Sequence, residues 1–193
     1  LVLTMLLALI NFRTTFNLTI PTPFYKKPFE FTAGFRNLYY LVAAAYGLTV
    51  IAVAAVNFNL GVFAMLLVFA ITLTFYTKPE NEYYVWSYSL SAKKFLLEKI
   101  KTATIFSAIL ILPVAAALGI FFLQNITVLL LFYLAGWAFL VYMIVSKYAT
   151  YPAELNITQA ILLVLCISFP PLLLFVIPYF FRKSENRLTS LLQ

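Results

Sequence analysis

The chain has 193 residues, of which 64% are hydrophobic, 18% aromatic and only 10% charged. Soluble domains are about half apolar and a quarter charged, so the composition excludes an ordinary soluble domain and points to a bilayer as solvent. There is no His and no Asp, and Cys166 is the one cysteine, which excludes an internal disulfide framework, a Cys/His zinc site and a Ser–His–Asp or Cys–His nucleophile within this chain.

The charged residues fall into four short zones: Arg13 to Arg36, Lys78 to Lys101, Lys147 to Glu154, and Arg182 to Arg187. The stretches between them carry no charge. A spanning helix takes about 20 apolar residues, so 37–77 and 102–146 are each long enough for two spans and a tight turn. The expected fold is an all-α integral membrane protein, a polytopic helical bundle with about five full or broken spans plus a truncated N-terminal span.

In chain order, residues 1–12 are too short to cross. No basic segment precedes them, so they are expected to be the end of a helix that begins upstream, in the C-terminal portion of a longer membrane protein. Residues 13–37 hold Pro21, Pro23 and Pro28 among aromatics and lysines, which suits a cytoplasmic loop at headgroup level. Residues 38–76 form a hairpin turning at Asn57-Phe58-Asn59. Its small residues, such as Ala45 and Gly47, suit close helix packing.

Residues 77–101 form the most informative loop. Thr77-Lys78-Pro79-Glu80-Asn81-Glu82 offers a hydroxyl cap, an early Pro and acids at the positive end of a helix dipole. A short helix carrying Tyr83, Tyr84, Trp86 and Tyr88 follows. Ser89-Leu90-Ser91 interrupts it, and Ser91 can cap a second helix that runs through Lys93, Lys99 and Lys101 into the next span. Residues 102–146 form a second hairpin turning at Gln124-Asn125. There Ala115 and Gly119 make a small-xxx-small helix-packing pair, and Pro113 is expected to kink its helix. Residues 147–156 are a short loop and 157–181 a membrane segment broken by Phe169-Pro170-Pro171 and Pro178, before a basic tail at 182–193. The break favours a re-entrant course that returns the tail to the side it left. The basic loops all lie on one side, which the positive-inside rule makes cytoplasmic. Anionic lipid there accounts for the net charge of +7 without nucleic acid.

The segment Ser89-Leu90-Ser91-Ala92-Lys93-Lys94-Phe95-Leu96-Leu97-Glu98-Lys99-Ile100 resembles the cytoplasmic loop of type-2 ABC exporter permeases. Leu90 and Ser91 fit the family's turn, Lys93 its basic stretch, Phe95, Leu96 and Leu97 its apolar run, and Lys99 its lysine. Ser89 stands where the family usually has Pro, and Glu98 where it has Gly, which marks a divergent branch. The resemblance implies a permease subunit in a bacterial cytoplasmic membrane. Its partners would be an ABC ATPase subunit and a second permease copy or paralogue. ATP and Mg would be bound by the ATPase. This chain has no P-loop of its own and, on this reading, no catalytic, cofactor or metal residues.

By the same resemblance the short helix is a coupling helix. The docking surface would comprise Glu80, Glu82, Tyr83, Tyr84, Trp86, Tyr88, Leu90, Ser91 and Lys93, while Lys99 and Lys101 would contact the membrane surface. Two other classes are a lipid-modifying membrane enzyme with its active site upstream, and a non-catalytic membrane scaffold. Clustered Asp, Glu or His at the membrane face would mark the enzyme. Here Glu80 and Glu82 are the nearest such cluster.

Overall fold

The computed structural model describes Phe24, residues 29–154 and residues 156–192. The expected truncated span at 1–12 and most of the 13–37 loop lie outside the described residues. Among those described there are seven α-helices and no strand: α1 Phe29–Ala54, α2 Phe58–Thr74, α3 Glu82–Trp86, α4 Ala92–Phe121, α5 Ile126–Thr150, α6 Ile157–Ser168 and α7 Leu173–Leu192. The protein is an all-α membrane bundle. Three segments, Glu30–Ala54, Ala92–Phe121 and Leu123–Thr150, are long and apolar enough to cross a membrane.

Local sequence chemistry explains the punctuation. Asn57 caps α2, its side chain accepting from Leu60 N at 3.1 Å. Leu123–Asn125 forms a single 3-10 turn between α4 and α5. The backbone break in the long apolar helices falls at Leu38 (φ −123°, ψ 15°), inside α1. Pro113, expected to kink its helix, lies within α4, which continues to Phe121.

α2 is the central element, packing against α1, α4 and α5. Close approach there uses glycines. A Cβ on Gly61 would lie 2.3 Å from a Leu118 methyl, and one on Gly136 would lie 2.4 Å from the Phe69 ring. Of the pair expected to serve this purpose, Ala115 packs against the core, whereas Gly119 leaves room for a methyl. A Cβ on Gly119, which lies near the turn between α4 and α5, would meet Ile126 at an ordinary 3.7 Å.

The C-terminal segment reverses direction. α6, with 12 residues, is about 18 Å long and stops short of a bilayer's thickness. Pro170–Leu172 then forms a 3-10 turn and α7 runs back along α5. The Ser184 hydroxyl donates to Val145 O at 2.5 Å, and Arg187 Nε donates to Tyr151 O at 3.0 Å. The tail therefore lies at the same end of the bundle as Lys147.

A candidate functional site built on a buried ion-pair square

Described residues from all four charged zones meet at that end. Glu30 starts α1, Glu80 lies just ahead of α3, Lys99 sits two turns into α4, and Lys147 sits one turn before the end of α5. The four side chains form a closed square. Lys99 Nζ donates to Glu30 at 2.9 Å and to Glu80 at 2.8 Å, and Lys147 Nζ donates to Glu30 at 2.8 Å and to Glu80 at 3.0 Å. Side-chain exposure is 2% for each lysine, 6% for Glu30 and 9% for Glu80. Two ammoniums and two carboxylates sum to zero charge. Burial of such groups is tolerated only when every charge is paired and hydrogen-bonded.

Aromatic residues complete the enclosure. Lys99 lies 5.1 Å from the Tyr88 ring centre and 5.5 Å from that of Phe95, and Lys147 lies 5.3 Å from that of Tyr148. These distances let the ring faces interact with the ammoniums. The Tyr148 hydroxyl donates to the Glu80 carboxylate, and that of Tyr151 donates to Glu80 O at 3.0 Å. Tyr76 is fully buried beside Lys147, and its hydroxyl has no hydrogen-bond partner among the described residues.

The electrostatics follow from this packing. Burial alone would raise the Glu80 carboxyl, but the ammoniums of Lys99 and Lys147 outweigh it, so the carboxyl titrates well below its ordinary range. The Tyr151 phenol is pushed up to about 12, first by burial and then by Glu80 and Glu82, and so remains a donor.

The square anchors the short helix. α3 is capped by Asn81, whose side chain accepts from Tyr83 N at 3.2 Å. Thr77, expected as the cap, instead donates to Thr74 O at 2.9 Å. Val85 is buried, whereas Tyr83 is 75% exposed and Trp86 66% exposed. The connection to α4 is tight: Ser89 has φ 48°, a left-handed conformation that proline's ring forbids. The departure from the resembled family at this position thus coincides with a backbone that Pro cannot form. Tyr88 stacks edge-on to Phe95 at 5.2 Å, and Phe95 does the same to Tyr148.

Of the residues expected on the docking surface, Glu82, Tyr83, Tyr84, Trp86, Ser91 and Lys93 are exposed, and Tyr88 and Leu90 are half-buried. Two assignments need correction. Glu80 does not face a partner, and Lys99 does not touch the membrane surface; both are buried in the square. Lys101 is exposed. Sequence reasoning passed over Glu30, Lys147 and Tyr148. Lys147 had a usable signal: it stands among Ile144, Val145, Ser146 and Tyr148 at the end of an apolar helix, where an ionisable group calls for a partner.

No family model, curated protein or solved structure matches the chain.

Proposed function

We propose that this chain is the membrane-spanning subunit of an ABC exporter, working with a second permease copy or paralogue in a bacterial cytoplasmic membrane. A separate ATPase subunit docks on α3 and supplies ATP binding and hydrolysis. The observation that carries this reading is the position of Glu80. It lies immediately ahead of a helix with exposed aromatics and is ion-paired to α4 and α5, whose lysines also hold α1. Buried charges cannot slide apart gradually without losing their pairing. A push on α3 is therefore delivered to three long helices as one body, as a coupling element requires.

Co-purification tests the proposal. An ATPase should accompany the full-length protein, and Trp86→Ala with Tyr83→Ala should release it while the membrane part stays folded. If no ATPase accompanies the wild-type protein, the reading fails.

A further inference from the structure

The outward face of α7 changes character along its length. Leu174, Phe175 and Tyr179 are 74%, 76% and 61% exposed, apolar positions suited to lipid chains. One to two turns further on, Arg182, Lys183 and Asn186 are also exposed. The opposite face, Phe180, Ser184 and Leu188, is buried. The helix therefore passes from hydrocarbon to polar surroundings between Tyr179 and Lys183. The Ser184–Val145 hydrogen bond puts this crossing close to the level of Lys147, at the charged end of the bundle.

A surface hollow lies at that crossing, lined by Pro178, Tyr179, Arg182, Lys183 and Asn186. It offers two permanent cations, an amide and a phenol beside a lipid-facing aromatic. No acid lines it. Arg187, next along the helix, is tied to Tyr151 O and fixes the turn that carries Arg182 and Lys183. A phosphate with acyl chains attached fits this combination: Arg182 and Lys183 for its negative charge, Asn186 for its oxygens, and Phe175 and Tyr179 for the first methylenes.

We propose that this hollow binds the phosphate headgroup of an anionic phospholipid. The inference does not depend on the transport reading. Binding holds α7 against α5 from the lipid side.

Native mass spectrometry of the purified full-length protein tests it. The probes are phosphatidylglycerol, phosphatidylcholine and inorganic phosphate. The wild type is expected to retain phosphatidylglycerol over phosphatidylcholine. Arg182→Gln with Lys183→Gln is expected to weaken that retention by about an order of magnitude. Lys78→Gln with Lys94→Gln, exposed lysines elsewhere, is expected to change it little. Unfolding temperature confirms that the variants are folded, and single substitutions replace any double that is not. Equal retention of the two lipids, undiminished retention by the Arg182 and Lys183 variants, or displacement by millimolar inorganic phosphate would each overturn the proposal.

Discussion

Lys147 holds Glu30 at 2.8 Å although the two are 117 positions apart in the chain. Their contact joins the beginning of α1 to the end of α5, and each also has a second partner in the square. Removing one member leaves a buried charge without full compensation, which costs about 3–5 kcal/mol. Lys147→Met and Glu30→Gln should each destabilise the protein by roughly that amount. Together they should cost clearly less than their sum, since the double variant removes one charge of each sign. Reversible unfolding in mixed micelles, read as a double-mutant cycle, measures the difference.

Acid should loosen the same site through Glu80. Its folded-state carboxyl titrates below its ordinary value of 4.5, so the stabilisation is complete above that value and is lost as pH falls beneath it. The unfolding temperature of the wild type should therefore drop as the solution is taken from pH 6 towards pH 3. Glu80→Gln should start lower and fall less steeply over the same interval.

Two tyrosines flank the square with opposite circumstances. Tyr148 donates to the Glu80 carboxylate, whereas the Tyr76 hydroxyl is buried without a partner among the described residues. Tyr148→Phe should cost about 1.5–3 kcal/mol, the value of a hydrogen bond to a charged group. Tyr76→Phe should be neutral or stabilising, because it removes a buried polar atom that gains nothing. A matched pair of unfolding curves decides this.

Glycine usage gives a second matched pair. Gly136→Ala would drive a methyl into the Phe69 ring, and overpacking of that kind costs about 1–3 kcal/mol. Gly119→Ala meets only ordinary contacts and gains helix propensity, so it should be neutral or stabilising by up to about 1 kcal/mol.

The course of the tail can be checked by cysteine labelling in sealed vesicles, in a Cys166→Ala background. Lys183→Cys and Lys93→Cys should react from the same side, and Asn59→Cys from the other. Labelling of Lys183→Cys from the side of Asn59 would contradict the reversal at Pro170–Leu172.

Much of the architecture was legible because charge is so scarce. Charge-free runs, Asn57 and the Gln124-Asn125 pair marked the hairpins, and Pro170-Pro171 marked the reversal. The short helix was also readable, though its cap was misplaced from Asn81 to Thr77. The square was not readable in the same way. Local pattern treats Glu30, Glu80, Lys99 and Lys147 as loop or surface charges, since each stands at the edge of an apolar run. Only the three-dimensional return of α1, α4 and α5 to one end shows that these edges coincide. The glycine contacts were missed for a related reason. Gly61 and Gly136 each lack a small neighbour at the spacing that flags a seam, and each takes its large partner, Leu118 or Phe69, from another helix.

The square also imposes an order on assembly. Glu30 is synthesised well before its partner Lys147, and at ordinary ribosomal speed that interval is on the order of ten seconds. Until Lys147 arrives, Lys99 alone faces the two acids Glu30 and Glu80, so one of them must stay hydrated at the edge of the bilayer. The last helices cannot merely add to a finished core, because the charges of the first and middle ones become neutral only when α5 arrives. A chain stopped before α5 would thus expose one acid in excess at the membrane face, a visible mark of incompleteness for quality-control proteases.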